Sequence, residues 1–215
     1  MNFDTDRDRI ENASARTTDA ARFKQAIGSI DLLNDEDPKR EAEANGDAVG
    51  YELYFSRLLF EKTLSLNSDA SEALLLAARS QHVCRWKMPR KDFPMDRPGY
   101  LKWRSDLKRY HATVTTGVLD EVGYDPGTID KVREINLKQN LKTNSDAQTM
   151  EDALCLVFLE VQFAEFRLKA NEEKVISILQ KTWAKMSEPG RKAALTLNLG
   201  IEETRLLRLA LETAK

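Results

Sequence analysis

The sequence predicts an all-α protein, a single-domain bundle of about seven to nine helices. Three observations lead there. Apolar residues recur at steps of three and four along most of the chain. Alternating β-branched runs are few. Finally, the nine Gly and six Pro of a 215-residue chain leave no room for the turn-dense pattern of a strand-rich fold.

Each element follows from its own pattern. The charged start, residues 1–18, has no apolar stripe and reads as a flexible N-terminal segment, with residues 19–215 as a single helical domain. Thr17-Thr18-Asp19 can cap a helix from about Ala20 to Leu33, with Phe23, Ala26, Ile27 and Ile30 on one face. Asp35 to Gly50 is acidic, broken by Pro and Gly, and reads as a loop. Tyr51 to Leu66 is a second helix, closed by Asn67-Ser68. Asp69-x-x-Glu72 resembles a capping box and opens a nearly all-apolar helix, Ala73 to about Trp86, which must be central. Lys87 to Pro98 carries three prolines and reads as irregular. Pro98-Gly99 then opens a helix from Tyr100 to Val122, ended by Gly123, and Asp125-Pro126-Gly127-Thr128 starts a short one to Leu137. Ser145-Asp146 caps a long helix, Ala147 to Lys169. Asn171 to Met186 and Ile201 to Ala214 are two more, with Pro189-Gly190 and Gly200 as breaks.

Composition excludes several classes. Thirty-three Lys+Arg against 35 Asp+Glu give a net charge of −2, which argues against broad nucleic-acid binding. The longest apolar run, Ala153 to Leu159, stops at Glu160 and is too short to span a membrane. The first residues lack the apolar core of a secretion signal, and two isolated cysteines, Cys84 and Cys155, make no disulfide framework. A cytoplasmic location is expected.

Polar residues on buried-looking helices are the informative ones, because an unpartnered buried charge is costly. Arg79, His82 and Trp86 share a face of the central helix, with Gln81 and Arg85 beside them. Trp103-Arg104, Leu107-Lys108 and His111 repeat that spacing on the next long helix. Glu151-Asp152 and Glu160 interrupt the apolar centre of the later one. Between Arg79 and Tyr110, ten Lys+Arg face three Asp, an excess that suits an anionic ligand. Trp86, Tyr100 and Trp103 among these cations suit stacking on a ring.

Two stretches carry a resemblance. One runs Ala77-Ala78-Arg79-Ser80-Gln81-His82-Val83-x-Arg85-Trp86-x-x-Pro89-Arg90, and continues Pro94-x-x-x-x-Gly99-Tyr100-x-x-Trp103-Arg104-x-x-Leu107-x-x-x-His111. The other is Glu151-Asp152-x-x-Cys155-Leu156-Val157-Phe158-Leu159-Glu160. Both resemble domain-of-unknown-function family 4202 of bacteria and fungi over about residues 20–210. Some of its members carry a glutamyl-tRNA synthetase label. Lys185-Met186-Ser187 resembles the nucleotide-binding loop of such enzymes, but their His-Ile-Gly-His motif and alternating α/β pattern are absent. The chain is also distantly similar to the all-helical HD-type metal phosphohydrolases. Gln81-His82 falls where their His-Asp pair stands, His111 and Asp152 fall where later ligands stand, and Glu52 or Glu61 is the nearest substitute for their early His.

The expectation is a metal-dependent hydrolase acting on a phosphorylated or otherwise anionic small molecule. His82, His111 and Asp152 would hold a divalent metal, and Glu151 and Glu160 would be catalytic. Arg79, Gln81, Arg85, Trp86, Trp103, Arg104 and Lys108 would bind the substrate. The same ligands could hold iron for oxygen chemistry. The alternatives are a non-catalytic module that binds a nucleotide or RNA through the same Arg/Trp surface, and a helical protein-interaction scaffold. Oligomeric state is open.

Overall fold

The computed structural model describes residues 3–42, 46–141 and 143–213. The described residues are mostly helical: α1 (Phe3–Ser14), α2 (Ala20–Asp35), α3 (Tyr51–Leu66), α4 (Glu72–Ser80), α5 (Arg97–Glu121), α6 (Pro126–Leu137), α7 (Ser145–Val157), α8 (Phe163–Leu168), α9 (Glu172–Lys185), α10 (Glu188–Leu195) and α11 (Ile201–Glu212). Side-chain caps start most of them, including Asp19, Ser71, Asp96, Asp125, Asn144, Asn171 and Ser187.

Eleven helices exceed the seven to nine expected, for three reasons. Within the segment read as flexible, Phe3–Ser14 forms α1. Its Asp6 is buried against Arg79 of α4, a partner 73 residues away that no local pattern announces. The long predicted helix is broken by a π-helical turn, Phe158–Gln162, between α7 and α8. Pro189-Gly190, read as a break, instead lies in the first turn of α10, where proline fits because its missing N–H has no helical partner. The expected loop before α3 holds a small antiparallel hairpin, β1 (Arg40–Ala42) and β2 (Ala48–Gly50), paired Arg40 to Gly50 and Ala42 to Ala48. Residues 43–45 of that loop, and Ala214 at the predicted end of α11, lie outside the described residues.

A second difference matters for the site. The central helix was predicted to reach Trp86, but α4 stops at Ser80. Carbonyls at its end and in the turn that follows are taken by side chains, two of them from distant elements. The Ser80 hydroxyl donates back to Leu76 O at 2.8 Å, Asn34 Nδ2 donates to Arg79 O at 3.3 Å, and His111 Nδ1 lies 2.8 Å from Val83 O. Cys84 then adopts a left-handed φ of 54° and the chain turns into a 3-10 turn at Arg85–Lys87. Tertiary hydrogen bonds have overridden local propensity.

Two cores result. The first joins α2, α3, α4, α6 and α7 around Phe23, Leu59, Phe60, Leu74, Leu76, Ile135 and Met150. Full burial of each such large side chain contributes about 1.5–3 kcal/mol. The second joins the end of α7, the π turn and α8 to α11 around Leu156, Leu159, Phe163, Leu179 and Leu207. Helix α7 serves both. It gives Met150, Ala153 and Val157 to the first core and Cys155 and Leu156 to the second.

Candidate anion-binding site

A cavity of about 720 Å³ lies between the turn after α4, the face of α5, the end of α6, α7 with its π turn, and α9. That volume is in the range of small-molecule sites. One part of its wall is apolar, from Leu154, Phe158, Ile178 and Trp103, and the rest is strongly charged.

The termini of these elements set the charges in place. Helix α5 begins against the irregular loop. A Cβ on Gly99 would stand 2.1 Å from Pro94 O, so only glycine allows this close docking. Trp103 Nε1 fixes the same loop by donating to Met88 O at 2.9 Å. Arg104, Lys108 and His111 therefore present one face of α5 to the cavity. Lys138, the left-handed residue ending α6, and Lys181 and Lys185 of α9 add cations from the other side.

The cavity holds one carboxylate against these cations, Glu151. It is buried and paired with Lys138 and, at 3.6 Å, with Lys185. Burial pushes its pKa up, but those two ammonium groups bring it below the usual carboxylate range. Among the described residues no carboxylate lies within ion-pair distance of Lys108 or Arg104. Arg104 Nη1 donates to the Tyr100 hydroxyl at 3.3 Å. Burial, then Lys138 and Arg104, push the Lys108 ammonium below its ordinary pKa. Arg85 is lowered by burial and by Arg104, against the pull of Glu52. Burial first, and like charge second, disfavours the positive forms of Lys108 and Arg85, an environment that an anion would relieve.

The two histidines meet at the inner wall, with ring centroids 5.8 Å apart. His111 is buried, and Nδ1 faces a carbonyl that can only accept, so Nδ1 carries the proton and Nε2 is a bare acceptor. Nε2 has no partner. Burial, the neighbouring His82 ring and Arg85 push its pKa down to about 3 although the Val83 carbonyl opposes this. His82 stacks on Phe55 at 4.3 Å, and its Nδ1 is 3.6 Å from Glu52 Oε2. Burial, with Arg85, Lys138 and Arg104, holds it well below its ordinary value.

Glu52 is the residue that sequence reading named only as a substitute position. The hairpin delivers it: Gly50 N donates to Asp35 Oδ1 at 2.7 Å, Tyr51 N to Lys39 O at 2.8 Å, and Glu52 N to Asp37 Oδ2 at 3.3 Å. In the first turn of α3, Glu52 is buried behind His82 with Arg85 at 3.9 Å. Burial pushes its carboxyl up to about 7, against the attraction of Arg85 and Lys39. A buried acid inside a predicted amphipathic stripe was the available signal.

Gln81, His82, Arg85, Trp103, Arg104, Lys108, His111 and Glu151, all predicted site residues, thus line one cavity. Four others do not. Arg79 is fully buried between Asp31 and Asp6, its guanidinium forked onto both carboxylates at 2.6–2.9 Å. Trp86 packs in a small third cluster with Ile30 and Val118. Glu160 faces outward on the π turn and pairs with Lys62 at 2.5 Å. Asp152 accepts from Ser187 N at 2.8 Å and Gln148 Nε2 at 3.1 Å, anchoring the start of α10. A Cβ on Gly190 would stand 2.5 Å from the Asp152 carboxyl carbon. Asp152 is therefore not beside His82 and His111. Among the described residues no group of three or more His, Cys, Asp or Glu side chains is arranged to hold a metal ion, so the expected ligand set does not fit one.

Both long motifs fall on this cavity or its supports. The model of the family described as Domain of unknown function (DUF4202) matches residues 24–207, and the chain belongs to that family. No curated protein and no solved structure matches it. Among the described residues no helix is long and apolar enough to cross a membrane.

Proposed function

We propose that this DUF4202 member binds a phosphorylated small molecule in the cavity between α5 and α9 and acts on it as a hydrolase. The observation that supports this reading best is the set of cations, Arg104 and Lys108 above all, that face the cavity without a carboxylate of their own. A phosphate oxygen suits them, since guanidinium and ammonium donors give short charge-assisted hydrogen bonds.

The acid–base component is Glu52 with His82. A carboxyl behind Nδ1 orients the ring and leaves Nε2 to take a proton from water. The 3.6 Å separation shortens to a hydrogen bond once substrate fills the site, as is common in catalytic pairs. Burial and the nearby cations keep the ring neutral at pH 7 but make it a weak base, so proton uptake there depends on the Glu52 carboxylate stabilising the imidazolium. The water oxygen would bond to phosphorus as the ester P–O bond breaks, the departing alkoxide would take its proton from solvent or a cavity lysine, and the cations would stabilise the charge that builds on the phosphoryl oxygens. Trp103 and Phe158 offer flat apolar surface to the rest of the molecule.

Thermal melts in phosphate and in chloride at matched ionic strength test the binding. Phosphate should raise Tm for the parent chain and not for Arg104→Gln/Lys108→Gln. Equal stabilisation of parent and double variant overturns the site. Release of inorganic phosphate from a panel of phosphomonoesters tests the reaction. His82→Gln should abolish release while leaving phosphate stabilisation in place. If the parent releases none, the cavity is a binding module.

A further inference from the structure

The phosphate reading explains the cations but not the inner wall, where acceptor atoms are buried with nothing to accept from. Among the described residues, Gln81 Oε1 and His111 Nε2, on buried side chains that line the cavity, have no hydrogen-bond partner. Native proteins rarely leave such atoms unpaired, and those that do occur in a ligand cavity point to a donor on the ligand. We propose that the phosphorylated ligand carries hydroxyl groups at its other end, a sugar or polyol phosphate, and that Gln81 and His111 recognise them. This rests on the phosphate reading above.

Three features select hydroxyls over other donors. The protonation of His111 Nδ1 leaves Nε2 able only to accept, so the ligand must donate there. Gln81 offers an amide, which pairs with a hydroxyl in either sense because a hydroxyl both donates and accepts. An ammonium group would also donate, but Arg85, Arg104, Lys108 and Lys138 line the same cavity and its carboxylate, Glu151, is already paired with Lys138 and Lys185, so a cation there meets net repulsion. An alkyl chain would leave both acceptors buried and unpaired, which sites built for a hydroxyl reject strongly.

The spacing agrees. Arg104, Lys108 and His111 lie on one face of α5, and seven helical residues advance about 10 Å. A pentose or triose phosphate spans from the cations to the histidine. Trp103 lies alongside, where an aromatic ring can cover the apolar face of a sugar.

Calorimetric titration of the full chain with ribose 5-phosphate, glycerol 3-phosphate, butyl phosphate and inorganic phosphate tests this. Ribose 5-phosphate is expected to bind about tenfold or more tighter than butyl phosphate, which has the charge without the hydroxyls. Gln81→Met and His111→Phe should erase that advantage and leave inorganic phosphate binding unchanged. If butyl phosphate binds as well as the sugar phosphate while inorganic phosphate still binds, the hydroxyl recognition is wrong and the phosphate site stands. An advantage retained in both variants also overturns it. Binding of none of the four removes the phosphate reading and this inference together. The comparison of ligands on the unaltered chain decides the matter even if His111→Phe does not fold.

Discussion

Arg79 and the pair Arg104/Lys108 belong to one basic stretch of the sequence, yet the fold treats them in opposite ways. Arg79 is sealed from solvent and forked onto two carboxylates, Asp31 and Asp6, with the Phe60 ring 5.5 Å away. Burial pushes Asp6 up, but the Arg79 hydrogen bonds and charge leave it below the ordinary carboxylate range. That cluster is electrically closed. Arg104 and Lys108 stand at an open cavity facing Lys138 and Lys185, with Glu151 already neutralised. The difference shows that a count of charges along a chain does not distinguish a structural cation from a recognition cation. What distinguishes them is whether the fold supplies the counter-charge.

The comparison can be broken most directly at Arg79. Arg79→Met leaves the buried Asp6 and the half-buried Asp31 without their shared cation and should cost about 3–5 kcal/mol of stability, read from urea unfolding. The fraction that remains folded should still bind phosphate. Loss of phosphate binding at full stability would make Arg79 part of the site after all.

The next effect is a gain. Glu52 holds its proton more tightly in the native state, so between pH 4.5 and about 7 the native chain binds more protons and stability falls as pH rises. Glu52→Gln removes that loss and should stabilise the protein at pH 8 by up to about 3 kcal/mol. His111 acts with the opposite sign. Its pKa is depressed from 6.5 to about 3, so its contribution to stability is lost as pH falls through that window. In Glu52→Gln the rise in stability from pH 4 to pH 6.5 should therefore be steeper than in the parent. Unfolding midpoints across pH 4–8 read both slopes, and an unchanged profile would remove Glu52 from the buried pair.

The smallest effect sharpens the contrast. Lys108→Gln relieves repulsion in a cavity with no ligand and should change stability by about 0–1 kcal/mol in the favourable direction, at the expense of phosphate binding. Destabilisation by several kcal/mol would instead give Lys108 a structural role like that of Arg79.

The helices were legible wherever burial is one-sided. Tyr51–Leu66 was read to the residue, because a polar and an apolar face alternate along its length and Asn67 closes it. The end of α4 was not legible, because Asn34 and His111, distant in sequence, take up the carbonyls there. The α5 face, with Arg104, Lys108 and His111, was visible as charge at helical spacing. Lys138 and Lys181 were not, since neither stands out from its neighbours in sequence and each gains meaning only across the cavity, while Lys185 was picked out only within Lys185-Met186-Ser187 and not with these cations. Asp152 misled for the reverse reason. A buried acid near a buried histidine pattern looks like a ligand, and here its partners are the Ser187 backbone and hydroxyl.

The π turn at Phe158–Gln162 solves a problem of phase. A helix that crosses from one core to the next keeps a fixed rotation of about 100° per residue, so the face that suits the first core need not suit the second. One residue more than an α turn shifts the rotation without ending the rod. Leu159 and Phe163 thereby join Cys155 and Leu156 in the second core, while Met150 and Val157 stay with the first. Phe158 and Gln162, the first and last residues of the turn, both line the cavity. The length adjustment that joins the two cores also shapes the wall between them, so the chain could not lose a residue here without re-aiming everything from α8 onward.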